Sequence, residues 1–151
     1  MKRLFIAAVL FLFAVSSVSA IDPGSSLNPD DVIAKMQSVL PAKIPVPVKK
    51  ADFQIMIFFD VLSPDSRQIL QIADNLPDFF PGKKISVNAF AKNTKSAVSD
   101  TFSVFFHHFK PEYLSIYADN EKKSAFNQFC TGEVLIPFAV IAGDGKVRWK
   151  G

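Results

Sequence analysis

The chain has 151 residues, 49% of them hydrophobic, with 16 phenylalanines and one cysteine. That length suits one domain with its own core, and a single cysteine excludes an internal disulfide, so stability must come from packing. Without Lys2 and Arg3 the 17 basic residues become 15 against 14 acids, a near-neutral balance that gives no electrostatic footprint for nucleic acid.

The first twenty residues have the layout of a secretory signal. Lys2 and Arg3 form a positive start, residues 4–15 an apolar stretch, and Val18-Ser19-Ala20 the small residues before a cleavage site. Cleavage is expected after Ala20, and the apolar stretch is short against the roughly 20 residues of a bilayer span. No membrane span is expected in the mature chain, which is placed in the periplasm or outside the cell. Ile21 follows Ala20, so lipid attachment through a cysteine at that site is excluded. Residues 21–52 read as a leader and a helix. The Gly, Ser, Pro and Asp of residues 21–29 predict a mobile segment. Val32, Ile33, Met36, Val39 and Leu40 predict a helix over 30–40 that Pro41 stops, and Pro41, Pro45 and Pro47 then enforce an extended connection.

From residue 53 the pattern changes. Residues 53–59 are a largely apolar run with β-branched and aromatic members, the mark of a strand buried on both faces. Ser63-Pro64-Asp65-Ser66 is a helix start, with Ser63 as cap, Pro64 in the first turn and Asp65 favoured by the helix dipole. The helix is expected to turn Ile69, Leu70, Ile72, Ala73 and Leu76 inward, to kink at Pro77 and to end before Pro81-Gly82. A strand over 85–91 follows, then a helix over 95–109 with Val98, Phe102, Phe105, Phe106 and Phe109 on one side. A short strand over 113–117, a helix over 121–130, a strand over 137–142, a Gly143-Asp144-Gly145 turn and a last strand over 146–150 complete the chain. The order β-α-β-α-β-α-β-β predicts an α/β fold whose central mixed sheet is parallel at first and closes in an antiparallel hairpin.

Two segments carry a resemblance to a known family. The run from Ile57 to Arg67, reading Ile-Phe-Phe-Asp-Val-Leu-Ser-Pro-Asp-Ser-Arg, resembles the thioredoxin active-site segment, an apolar strand that ends in Trp-Cys-x-x-Cys and a basic residue. Val134-Leu135-Ile136-Pro137-Phe138-Ala139-Val140-Ile141 resembles the strand that the family opens with a cis-proline, and residues 143–151 resemble its closing hairpin. The similarity covers residues 53–151, taken as the thioredoxin-like domain. The extra strand and helix between 85 and 130 suit the periplasmic thiol-disulfide oxidoreductase or redoxin-like branch. The family's final helix has no counterpart in the sequence, so one sheet face is expected to be partly uncovered unless the helix over 30–40 or a partner covers it, the alternative being a shortened gene product.

The departures bear on chemistry. Dithiol exchange requires a low-pKa thiolate at a helix N-terminus and a second, resolving thiol. Ser63 and Ser66 fall on those positions, Leu62 replaces the tryptophan, and Ile57 stands where typical thioredoxins place a buried acid. Dithiol exchange is therefore excluded for the chain acting alone, and no catalytic residue is assigned. Ser63 as a nucleophile would need a base, yet His107 and His108 belong to another helix, so a helix cap is the simpler role. An anion at the Ser63–Ser66 turn is opposed by the charge of Asp65. Adjacent His107 and His108 diverge by about 100° on a helix and suit no metal, and the sequence has no haem-attachment motif, so no metal or cofactor is expected. Cys130 is either a buried structural thiol or a reactive one.

The resemblance further implies a cis Ile136-Pro137 bond beside the degenerate turn. Leu62, Ser63, Pro64, Ile136 and Pro137 would then form an apolar groove able to receive an extended peptide. The expected function is a non-catalytic binding or assembly module for an envelope or secreted protein. The alternative is a component of a thiol-disulfide pathway that acts through Cys130 or with a dithiol partner.

Overall fold

The computed structural model describes residues 23–91, 100–119 and 136–151. Its elements are α1 (Pro29–Ile33), β1 (Gln37–Leu40), a 3-10 turn (Val48–Lys50), β2 (Phe53–Phe59), α2 (Pro64–Phe79), β3 (Ile85–Ala91), α3 (Asp100–His108), β4 (Leu114–Ala118), β5 (Phe138–Gly143) and β6 (Lys146–Lys150). The strands form one sheet in the order β1-β4-β3-β2-β5-β6. β2, β3 and β4 are parallel neighbours, while β5 runs antiparallel to β2 and β6 antiparallel to β5. A mixed six-stranded sheet with helices against it is a thioredoxin-like α/β fold.

β2 explains why the sheet is central. Ile55, Ile57 and Phe59 enter one core with α2 and α3, and Met56 and Phe58 enter a second core on the opposite face. Burying a side chain such as Phe58 completely stabilises the fold by about 1.5–3 kcal/mol, and both faces gain from the same short strand. Phe58 meets Phe90 and Phe138 at ring-centroid distances of 5.3 and 6.1 Å. In α2 the inward positions are Ser66, Leu70, Ala73 and Asp74, spaced four, three and one residues apart as one helical stripe requires. Ile72 lies half a turn from Leu70 and is half exposed, contrary to the inward orientation its hydrophobicity predicts.

The segment before β2 departs furthest from expectation. The helix expected over 30–40 is confined to α1, and Gln37–Leu40 is instead the edge strand β1, antiparallel to β4. Leu40 precedes Pro41, a position that disfavours helical backbone, and the edge of β4 offers hydrogen bonds that a helix end would lack. Val39 and Leu40 thereby pack against the α2-side core. The described part of the expected mobile leader is also fixed: Val147 N–H donates to Ser25 O at 2.9 Å, Leu27 N–H donates to Gly145 O at 3.0 Å, and Leu27 is buried. Leu27 and α1 cover the sheet face opposite α2, so this segment does not cover the face that α2 shares. There Trp149 remains half exposed.

The final hairpin turns through Asp144 and Gly145, both with positive φ (54° and 70°), the backbone of a two-residue type I′ turn. A bulge follows: Ala142 pairs with Val147 but Ile141 with Trp149. The extra residue, Arg148, lets Val147 point into the second core while Trp149 faces the α2 side. The helix expected over 121–130 lies outside the described residues.

Candidate functional site

The carboxyl end of β2 is the geometric focus, because β3 flanks it in parallel and β5 arrives antiparallel from the other side. The β2–β5 ladder pairs Phe58 with Phe138, so continuing it by register sets the Asp60 turn beside Ile136-Pro137. The Ile136-Pro137 bond is cis, as the resemblance implied. Ile136 and Pro137 are partly exposed, and Ile136 also packs against the second core.

The turn between β2 and α2 is held by its own polar groups. Asp60 N–H donates to Ser66 Oγ at 3.2 Å, Leu62 N–H donates to Asp60 Oδ1 at 3.0 Å, and Ser63 N–H donates to Asp60 O at 2.9 Å. Arg67 Nη1 donates to the Val61 and Leu62 carbonyls at 2.7 and 3.4 Å. Ser63 caps α2 by accepting from Ser66 N–H at 3.3 Å, with Pro64 in the first turn. The capping role read from the sequence therefore holds. Ser66, at the second thiol position of the resemblance, is fully buried, whereas Ser63 is partly exposed and Pro64 and Asp65 are exposed.

Chemically, both hydroxyls are engaged as acceptors from backbone N–H groups. Among the described residues, the hydrogen bond at the Ser63 hydroxyl comes from Ser66 and not from an imidazole. His107 and His108 sit at the end of α3 with ring planes 79° apart, and no metal-holding cluster of His, Cys, Asp or Glu occurs among the described residues. Leu62 is 62% exposed, an apolar side chain presented to water at the tip of the turn. Cys130 lies outside the described residues, as do Val134 and Leu135.

Asp60 and Arg67 are the residues that sequence reasoning undervalued. The signal for Asp60 was present: an aspartate two residues before the turn tip can accept a backbone N–H and fold an Asx turn. Motif spacing marks Arg67 only as the basic residue after the turn, whereas its bonds to two carbonyls depend on the turn's three-dimensional path. Asp74 was also missed. Its buried carboxylate accepts the N–H groups of Glu112, Tyr113 and Leu114 at 2.8–3.0 Å, which ties α2 to the start of β4.

Comparison with solved structures agrees with the thioredoxin-like class. The chain is similar to a protein assigned as thiol:disulfide interchange protein DsbE of Chlorobium tepidum, with a TM-score of 0.58, 17% identity, and coverage of 86% of this chain and 84% of that one. It is also similar to StoA of Bacillus subtilis, with a TM-score of 0.53, 14% identity, and coverage of 67% of this chain and 73% of the other. A thioredoxin-like protein of Aeropyrum pernix gives a TM-score of 0.51, 17% identity, and coverage of 67% and 69%. At such identities the likeness is one of fold. No family model and no curated protein matches the sequence.

Proposed function

We propose that this chain is an exported thioredoxin-like binding or assembly module that receives an extended segment of an envelope or secreted protein, without dithiol chemistry of its own. The observation that supports the reading is the turn itself: serines stand where the resemblance places the two thiols, and each hydroxyl accepts a backbone N–H. Exposed Leu62 and partly exposed Ile136 and Pro137 supply apolar surface around that turn. The resemblance implies that an extended peptide meets the backbone before Pro137, and in strand addition main-chain hydrogen bonds give affinity and side-chain pockets give specificity. Export rests on the signal-like layout of residues 1–20.

Leu62→Asp is the cleaner probe, because Leu62 is mostly exposed whereas Ile136 also touches the core. Mature protein immobilised with and without each substitution is incubated with envelope extract of the source organism. Leu62→Asp is expected to weaken capture at least roughly tenfold, about 1.4 kcal/mol, while circular dichroism stays unchanged, and Ile136→Asp, which also loses core contact, is expected to weaken capture as well. Folded variants that recover the same partners in the same amounts would rule the groove out. Capture that vanishes with reductant would instead point to Cys130.

A further inference from the structure

An open cleft of about 690 Å³ lies between α2 and α3, apart from the peptide groove. That volume is within the roughly 300–1,000 Å³ of small-molecule sites. Phe105 and Phe109 give it an apolar wall, while Arg67, His108 and Lys110 bring nitrogen donors to it against one acid, Asp100. The wall is preformed: Phe105 stands 5.4 Å from Phe109 and 4.8 Å from the buried Phe106, centroid to centroid. Among the described residues, neither Arg67 nor Lys110 takes part in an ion pair. Two cations and an imidazole around an aromatic wall are complementary to a ligand with an apolar body and one anionic head.

We propose that this cleft binds a small amphipathic carboxylate. Its ring or chain lies against Phe105 and Phe109, and its head meets Arg67 and Lys110. Arg67 gives the site geometry as well as charge. Both of its hydrogen bonds among the described residues leave from Nη1, which leaves uncommitted the Nε and Nη2 pair, the fork that suits a carboxylate bidentately. The same guanidinium holds the Val61 and Leu62 carbonyls, so a bound carboxylate is linked through one side chain to the turn at Leu62. The proposal does not depend on what the peptide groove captures.

The test is a titration of the mature protein with 2-naphthoate, followed by amide NMR shifts, with 2-naphthylmethylammonium as the control of opposite charge. Naphthoate is expected to give saturable shifts at Thr101, Phe105, His108 and Lys110, and smaller ones at Leu62 and Ser63 with the same midpoint. The ammonium control should give none there. Lys110→Glu, at an exposed position, should weaken naphthoate at least fivefold, whereas Lys146→Glu on β6, also exposed, should leave it unchanged. The proposal is overturned by equal binding of both head groups, by shifts that do not saturate or fall elsewhere, or by equal losses from Lys110→Glu and Lys146→Glu.

Discussion

Replacing Asp74 with alanine would remove the carboxylate that joins α2 to β4. Its oxygens accept three consecutive backbone N–H groups, from Glu112 (2.9 and 3.0 Å), Tyr113 (2.8 Å) and Leu114 (2.8 Å). A hydrogen bond to a charged group contributes about 1.5–3 kcal/mol, and a stranded buried donor costs about 1–3 kcal/mol. The three bonds share one carboxylate and do not add. Water can also reach the Glu112 end, whereas Leu114 is fully buried and its N–H gains no substitute. The expected loss is about 3–4 kcal/mol, a large part of the roughly 5–15 kcal/mol by which domains are stable. With a urea slope of about 1.5–2 kcal/mol per molar, the midpoint should fall by about 2 M, read by circular dichroism. Asp74→Asn, which keeps one acceptor but loses the charge, should fall by about half as much. A midpoint for Asp74→Ala within about 0.5 M of wild type, on that same slope, would refute the tether.

Two further outcomes follow from the geometry. Tyr113 donates its hydroxyl to Asp78 at 2.7 Å, and this bond, followed by desolvation and the nearby charges of Asp78, Glu112 and Asp74, raises its pKa above 10.0. The folded state then holds the phenolic proton more tightly than the unfolded state, so the contribution is complete below pH 10 and is lost as pH climbs through the folded value. Urea midpoints measured from pH 9 upward should fall less steeply for Tyr113→Phe than for wild type, and identical slopes would contradict this. Ser63→Cys combined with Ser66→Cys should give a reducible intramolecular disulfide, with the thiol at 63 acidified by the helix N-terminus. The larger sulfur at fully buried position 66 should cost about 1–3 kcal/mol. A folded double variant that keeps two free thiols under mild oxidation would show that the turn departs from the thioredoxin path.

The parts of the fold legible in the sequence are those whose environment is written in consecutive residues. β2 and β3 have the bounds predicted, because a strand buried on both faces becomes a largely apolar run, interrupted only by Gln54 in β2 and by Ser86 and Asn88 in β3. The Ser63 cap and the Asp144-Gly145 turn were legible because each depends on local backbone geometry. β1 was not, since Val39 and Leu40 continue the helical spacing of Val32 and Met36, and only the distant edge of β4 makes the extended form better. The pairing of Ser25 and Leu27 with the final hairpin is likewise a contact across the whole chain. Ile72 misled because composition carries no helix phase, which the burial of Leu70 and Ala73 decides. Within the site, the cis Ile136-Pro137 bond could be anticipated by resemblance. The Asp60 and Arg67 bonds that shape the turn could not, because they depend on side-chain geometry that motif spacing does not encode.

The measurement that bears most directly on the proposed absence of dithiol chemistry is insulin disulfide reduction by the purified protein, with dithiothreitol as electron donor. Hydroxyls at positions 63 and 66 cannot form the mixed disulfide through which exchange proceeds, so turnover should stay at the rate of buffer alone. Reduction well above that rate, still present in a Cys130→Ser variant, would contradict the account.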